Sequence, residues 1–182
     1  QIPDFVIMEP SDAQSLYDLT WQVYKSGKNA YIRTPRKGIN FRYSLEDEIK
    51  LGKGIELLQG KDVAIVATGI VMVDAAMEAA SILKEKGIGA TVVDLHTVRP
   101  LDTELLDRIA KRCGKVLVCE NGRYAGGVGE MVAGYLVTTN PVKMGFVNVG
   151  ERFGEVGNLA YLKDAFGFTG ERVAKAAMDL LA

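Results

Sequence analysis

The sequence predicts an α/β protein whose mainly parallel sheet is covered by helices on both faces. From Lys61 onward, short apolar runs alternate with longer stretches in which apolar residues recur every three or four positions. Buried parallel strands give continuous apolar runs, and the helices that connect them give the longer period. Ahead of Lys61 the alternation is incomplete. We therefore expect a complete α/β domain over residues 61–182 and part of another before it.

The front block predicts two strands with one helix between them. The predicted elements are strands at residues 5–8 and 30–33 and a helix over about residues 13–25. Ser11 or Asp12 can cap this helix, and Gly27 can end it. Two strands are too few to form an independently stable sheet, so we expect residues 1–36 to be the remnant of a larger α/β domain.

Residues 37–60 lose the periodicity of both flanking blocks. They mix charges, glycines and isolated apolar residues, and the acidic run Glu46-Asp47-Glu48 is typical of a solvated surface. We interpret this range as a linker that contains a hairpin or an extended crossing.

The second block alternates strand and helix regularly. The predicted strands are residues 63–67, 91–94, 116–119 and 144–149. The first helix follows Thr68-Gly69, and its apolar residues fall at positions i, i+3, i+4, i+7 and i+10 counted from Val73. Asp102 is placed to cap the next helix, and Asp94 is expected to shape the loop before it. Another helix passes through Met131, and two helical segments end at Ala182.

The composition gives no sign of nucleic-acid or membrane binding. The 22 basic and 23 acidic residues leave a formal net charge of −1, without a basic surplus. No apolar run is long enough to span a bilayer. Cys113 and Cys119 show no metal-ligand spacing, and we expect inert thiols in a reducing cytoplasm.

The stretch CENGRYAGGVGE, residues 119–130, has four glycines between a strand and a helix, the place where α/β proteins often bind phosphates. It nevertheless lacks the third glycine of the dinucleotide fingerprint and the Gly-Lys-Ser/Thr ending of a Walker loop. Glu120 and Glu130 would also repel a phosphate, although Glu130 suits the start of a helix. We therefore expect the loop Gly126-Gly127-Val128-Gly129 to be structural or to form an interface.

Three motifs together resemble the C-terminal domain of transketolase. They are VVDLHTVRPLD at residues 92–102, CENGRYAGGVGE at 119–130 and ERFGEVG at 151–157. The segment from Ile2 to Arg36 is similar to the end of transketolase's pyrimidine-binding domain. The resemblance covers nearly the whole chain, and Val156 stands where the family usually has serine.

The resemblance implies the C-terminal section of a thiamine-diphosphate- and Mg-dependent enzyme that transfers two-carbon ketol units between sugar phosphates. It also implies a partner N-terminal section or subunit and homodimer contacts. The family's G-D-G signature is absent from the sequence. The segment that carries its catalytic glutamate would precede Gln1. We therefore expect no catalytic residue, cofactor-binding residue or metal ligand in this chain, and no activity from it alone.

One site residue follows from the resemblance. In the family, an arginine after the last pyrimidine-domain strand binds the phosphate of the substrate, and Arg36 in YIRTPRKG matches it. A guanidinium offers two parallel hydrogen bonds to phosphate oxygens, which suits this role. The alternative is that Arg33 and Arg36 are ordinary charges, and Arg33, inside the predicted strand, is expected to be structural.

The only histidine, His96, follows a strand, and the sequence places no partner for a catalytic triad near it. A structural or interface role is the favoured interpretation. Other assignments also stay open for the whole chain. It could belong to a 1-deoxyxylulose-5-phosphate synthase or to the β subunit of a 2-oxoacid dehydrogenase, or it could be a non-catalytic regulatory module.

Overall fold

The computed structural model describes residues 2–36 and 41–182. The strands in these residues are β1 (Val6–Met8), β2 (Ala30–Ile32), β3 (Ile55–Leu58), β4 (Val63–Ala67), β5 (Ala90–Asp94), β6 (Thr97–Arg99), β7 (Lys115–Cys119) and β8 (Lys143–Val147). The helices are α1 (Ala13–Ser26), α2 (Gly69–Glu85), α3 (Thr103–Cys113), α4 (Val128–Thr139), α5 (Leu159–Phe166) and α6 (Gly170–Leu181).

The main sheet has five strands in the order β3-β5-β4-β7-β8. Strands β5, β4, β7 and β8 are parallel to one another, and only β3 runs antiparallel, on the β5 edge. Every residue of β4 and β5 is buried. This is the pattern expected of strands covered on both faces.

Helices cover the two faces of this sheet separately. Side chains of α2 and α6 pack with Ile65, Val92 and Leu117 on one face. Side chains of α3 and α4 pack with Val66 and Val118 on the other. Alternate residues of the strands thus point into two cores, and the predicted three-layer α/β class is confirmed.

The residues predicted to cap the helices α1 and α3 occupy the cap positions in the structure. The N-cap of α1 is Asp12, whose Oδ1 accepts a hydrogen bond from the Ser15 backbone N–H at 2.7 Å, and Gly27 ends the helix in a left-handed conformation. Asp102 caps α3 by accepting from the Leu105 N–H at 3.2 Å. These contacts satisfy backbone groups that a helix end leaves without partners.

The front block is a strand–helix–strand unit joined directly to the main domain. Strands β1 and β2 are parallel, and β1 also pairs antiparallel with β6. The resulting small sheet has the order β2-β1-β6. A backbone hydrogen bond from Glu9 N to His96 O, at 2.9 Å, continues this junction.

The range 37–60, interpreted from the sequence as a linker with a hairpin or an extended crossing, packs against both flanking blocks in its described residues. It contains strand β3, which pairs with β5 of the main sheet, so that sheet draws on residues before Lys61. Tyr43 and Ile49 are buried in a small core with residues of β1 and α1. Residues 37–40 lie outside the described part of the chain. A four-residue strand between glycines carries too little periodicity to be recognised from the sequence.

None of the helices described is both long and apolar enough to cross a membrane.

Candidate functional site

The candidate site is a cleft at the carboxyl ends of the central strands. Strand β4 leads through α2 to β5 on one side, whereas β7 leads through α4 to β8 on the other, and α2 and α4 lie on opposite faces. Open α/β sheets usually bind ligands where consecutive connections diverge in this way. The front block lies across this edge, because β1 pairs with the strand that follows β5.

The cleft has a volume of about 490 Å³ and is lined from both sides. Glu9, Tyr31 and Arg33 come from the front block, and Glu120 and Arg123 come from the end of β7 and the glycine loop. Two carboxylates and two guanidinium groups therefore share one crevice. The two negative charges of this lining can be neutralised by the two positive charges, without a bound ion.

Glu120 decides the interpretation of the glycine loop. Its two carboxylate oxygens accept hydrogen bonds from the backbone N–H groups of Val128 and Gly129, each at 2.9 Å, and its side chain is buried. These N–H groups begin α4 and are the ones that a phosphate would need. Burial raises the pKa of Glu120, while the two N–H donors act in the opposite direction. The position of a phosphate is thus filled by a side chain of the protein.

Glu9 lies against the start of α2. Gly69, the first residue of that helix, has φ of +67°, and a Cβ there would lie 2.5 Å from Oε1 of Glu9. Glycine is therefore required by backbone conformation and by space. Burial raises the pKa of Glu9, Arg33 opposes this change, and the nearby charge of Glu120 adds to it.

Arg33 connects the two halves of the cleft. Its Nη1 donates to Oε2 of Glu9 at 3.4 Å, and its Nη2 donates to the backbone carbonyl of Asn121 at 3.3 Å. The side chain remains 42% exposed. On the outer side, Arg123 forms an ion pair with Glu151 at 2.8 Å. Arg33 is thus the cation that faces both carboxylates.

Arg36 is not among the described residues that line this cleft. It occupies an exposed bend four residues after the end of β2, and the described lining of the cleft includes Arg33 but not Arg36. The assignment of Arg36 to the substrate phosphate stays a prediction. The sequence analysis did not identify Glu9, Arg33 or Arg123 as lining residues of the cleft. A charged residue at the carboxyl end of a predicted parallel strand was the available signal for Glu9 and Arg33.

His96 is buried at the junction of the two units. Its Nδ1 lies 3.0 Å from Oγ1 of Thr97, and its backbone carbonyl accepts the Glu9 N–H. Burial lowers its pKa to about 4, so the ring is neutral at physiological pH. This environment suits a structural histidine better than a general base with access to substrate.

The site offers no metal centre in the residues that the structure describes. No group of three or more His, Cys, Asp or Glu side chains there could hold an ion. Both helix N-termini at the crevice already face carboxylates of the chain, Glu9 and Glu120. A diphosphate with its metal ion does not fit this crevice, because it needs donors around the phosphates and free oxygen ligands around the metal.

The transketolase C-terminal domain model matches residues 52–173. The chain belongs to the transketolase C-terminal domain family. The match begins just before β3 and runs into α6, so it includes the strand that lies in the range interpreted as linker.

Relatives and a solved structure extend the likeness over nearly the whole chain. The chain is 40% identical to the 6-deoxy-6-sulfo-D-fructose transketolase subunit SqwH of Clostridium sp. (strain MSTE9), over 98% of this chain and 55% of that protein. It is 32% identical to a putative transketolase C-terminal section of Methanocaldococcus jannaschii, over 98% of this chain and 56% of that protein.

A 1-deoxy-D-xylulose-5-phosphate synthase of Dehalococcoides mccartyi (strain ATCC BAA-2100) is 34% identical, over 99% of this chain and 29% of that protein. A structure described as "Split gene transketolase, inactive beta4 tetramer" superposes with a TM-score of 0.91 at 33% identity, over 99% of this chain and 58% of the other. The chain thus spans about half the length of the transketolase relatives that it matches.

Proposed function

We propose that this chain is the C-terminal section of a thiamine-diphosphate-dependent transketolase and that it acts together with an N-terminal section or subunit. The observation that carries the proposal is the 40% identity with a transketolase subunit over 98% of this chain. The likeness to a split-gene transketolase structure supports it, because that protein shares the fold over 99% of this chain.

In this proposal, β1, α1 and β2 are the end of the pyrimidine-binding domain, and residues from β3 onward form the C-terminal domain. Thiamine diphosphate and Mg²⁺ act in the assembled enzyme, where the cofactor supplies the carbanion chemistry of ketol transfer. The partner section contributes the groups that hold the diphosphate. Glu9, Arg33 and Glu120 fix the two units of this chain against each other.

We further propose that Arg36 contacts the anionic group of the sugar substrate. Its side chain is exposed and follows a parallel strand at the carboxyl edge of the small sheet. The guanidinium can bind a phosphate or a sulfonate with two hydrogen bonds. The name of the Clostridium relative makes a sulfonated sugar the second substrate class to test.

The assay uses the assembled enzyme and three ketose donors that carry a phosphate, a sulfonate or a hydroxyl at the terminal carbon. Arg36→Ala should raise KM about ten- to a hundredfold for the anionic donors and much less for the neutral one, because a charged hydrogen bond contributes about 1.5–3 kcal/mol. Arg36→Lys should recover part of the loss. Equal effects on all three donors would exclude contact with the anion.

The synthase relatives support a second candidate, the C-terminal part of a 1-deoxyxylulose-5-phosphate synthase. Consumption of pyruvate separates the two activities, since the synthase decarboxylates pyruvate and transketolase transfers a ketol unit from a sugar. Turnover of pyruvate with a triose phosphate, and none with ketose donors, would favour the synthase.

We also propose that the protein works in the cytoplasm and forms homodimer contacts. Both cysteines are free and buried, which fits a reducing compartment.

A further inference from the structure

A second cavity lies at the carboxyl end of strand β8, beside the edge of the main sheet. It has a volume of about 300 Å³, which is at the lower end of the range for small-ligand sites. Residues 146–148 of the strand region, Phe166 and Gly167 at the end of α5, and one face of α6 line it. The described residues that line it are all different from those that line the cleft. We call this cavity the β8 pocket.

The end of β8 offers backbone groups to this pocket. The Val147 carbonyl accepts a hydrogen bond from the residue after β7 at 3.0 Å, and the Val149 N–H donates into the glycine loop at 2.9 Å. Because backbone groups of successive strand residues point to opposite sides, those of Phe146 and Asn148 point away from β7. Strand β8 is the outermost of the described strands on this side of the sheet. The Asn148 N–H is therefore a donor at an open sheet edge.

Helix α6 presents two cations and one carboxylate to the pocket. The lining residues of α6 recur at positions i, i+3, i+4 and i+7 and therefore share one face; they are Arg172, Lys175, Ala176 and Asp179. The Nζ of Lys175 lies 2.6 Å from Oδ2 of Asp179, so these two charges offset each other. None of the ion pairs in the part of the chain that the structure describes includes Arg172. Arg172 is thus the cation that gives the pocket its net positive charge.

The side chain of Arg172 is held against the end of α5. A Cβ at Gly167 would lie 3.5 Å from Nε of Arg172 and 3.6 Å from its Cγ, so the arginine stem packs on this turn of backbone. Packing of the stem restricts the directions in which the guanidinium can point. Phe166 adds an apolar wall, and its ring stacks on that of Phe168 with the centroids 5.8 Å apart. The pocket combines a positioned guanidinium, a backbone N–H donor and an apolar wall.

These groups match a phosphate better than a carboxylate. A guanidinium binds two oxygens of an anion through parallel hydrogen bonds. A carboxylate has only those two oxygens, whereas a phosphate monoester keeps a third for the Asn148 N–H. The volume of about 300 Å³ leaves room for the phosphate and for a body of a few carbon atoms.

We propose that the β8 pocket binds the phosphate group of a small phosphate monoester, through the guanidinium of Arg172 and the backbone N–H of Asn148. The inference is independent of ketol transfer, because neither residue enters the function proposed above.

The test is a titration of the isotope-labelled chain with glycerol 3-phosphate, followed by nuclear magnetic resonance. The backbone amide signals of Asn148 and Gly167 should shift and saturate below about 10 mM. Lactate, which carries a carboxylate, should bind more weakly, and glycerol should give no saturable shift. An Asn148 signal that does not respond to glycerol 3-phosphate would overturn the proposal. Lactate or glycerol that binds as tightly as glycerol 3-phosphate would overturn the choice of phosphate.

Variants locate the contact. Arg172→Gln should weaken binding of glycerol 3-phosphate about ten- to a hundredfold, and Arg172→Lys should weaken it less, because it keeps the charge and loses the two parallel hydrogen bonds. Asp179→Asn removes the carboxylate that offsets Lys175 and should strengthen binding about two- to fivefold. Arg36→Gln, which changes another exposed arginine, is the matched control and should leave the affinity unchanged. Binding that is lost with Arg36→Gln but kept with Arg172→Gln would contradict the assignment, and weaker binding by Asp179→Asn would contradict the charge argument.

Discussion

Replacing Asp94 by asparagine should stabilise the protein at neutral pH relative to the wild type and remove one component of its pH dependence. Asp94 ends β5 and is fully buried. Its Oδ2 accepts hydrogen bonds from the hydroxyl of Ser11 and from that of Tyr43, the latter at 2.7 Å. Asparagine keeps an acceptor oxygen for these donors but cannot ionise.

The magnitude follows from the pKa of Asp94. Burial raises this pKa from the ordinary value of 3.8 to about 6, and the nearby Asp12 also raises it. The hydrogen bonds from Ser11 and Tyr43 and the charge of Arg42 lower it, but by less. The folded state therefore holds the proton more tightly than the unfolded state. Protonation of Asp94 therefore stabilises the folded state. This contribution to the free energy of unfolding is complete below about pH 4 and is lost as the pH rises through 6. A pKa difference of about 2 corresponds to about 3 kcal/mol.

His96 titrates with the opposite sign and conceals this effect in the wild type. Its folded-state pKa is lowered from 6.5 to about 4 by burial, so its contribution is present above pH 6.5 and is lost as the pH falls toward 4. The free energy of unfolding of the wild type should consequently vary less with pH than the contribution of Asp94 or of His96 alone. Only the difference between the wild type and Asp94→Asn isolates the carboxylate.

The assay is urea unfolding followed by far-ultraviolet circular dichroism between pH 4 and pH 7.5. The free energy of unfolding of Asp94→Asn minus that of the wild type should grow by about 3 kcal/mol over this range. Asp179→Asn, whose side chain is 64% exposed, is the matched control and should give a nearly constant difference. A difference for Asp94→Asn that is the same at both ends would refute the reasoning, because the buried carboxyl would then ionise without penalty.

Two further predictions concern the glycine loop and the junction of the two units. Glu120→Ala should reduce the free energy of unfolding by about 1–2 kcal/mol, because the N–H groups of Val128 and Gly129 lose their acceptors. Glu130→Ala removes only an exposed contact to Gly126 and should reduce it by less. A larger loss for Glu130→Ala than for Glu120→Ala in urea unfolding would contradict the assignment. Limited proteolysis should cut first near Leu45, which is 86% exposed, because exposed loop residues are cleaved first. The five-stranded sheet should stay intact, as read by mass spectrometry of the fragments. Early cleavage within residues 63–149 would argue against an independently stable C-terminal unit.

The elements with strong periodicity could be predicted from the sequence. The predicted strand at residues 63–67 coincides with β4, and the helix predicted over residues 13–25 differs from α1 by one residue. Helix caps were also recognisable, because Asp12, Asp102 and Gly27 belong to residue types with local conformational preferences. In each case the signal lies within a few residues of the structure that it specifies.

The missed elements depend on tertiary pairing. Strands β3 and β6 have four and three residues, which is too short for a period to emerge, and both exist because a neighbouring strand supplies hydrogen bonds. The cleft was missed for the same reason, since Glu9 and Glu120 are distant in sequence and meet only when β1 packs on the main domain. Each residue had only a local signal: Glu120 is a carboxylate beside a glycine loop, and Glu9 and Arg33 are charged residues at the carboxyl ends of predicted strands.

The proposal that this chain completes a transketolase is tested by measuring ketol transfer in the assembled enzyme. The rate should be measured with thiamine diphosphate and Mg²⁺ for this chain alone and after addition of the N-terminal section with a complete pyrimidine-binding domain. We predict no turnover and no saturable heat of cofactor binding for the chain alone, and restored transfer from a ketose phosphate after assembly. Micromolar binding of thiamine diphosphate by the chain alone, or an assembled enzyme that does not transfer ketol units, would contradict it.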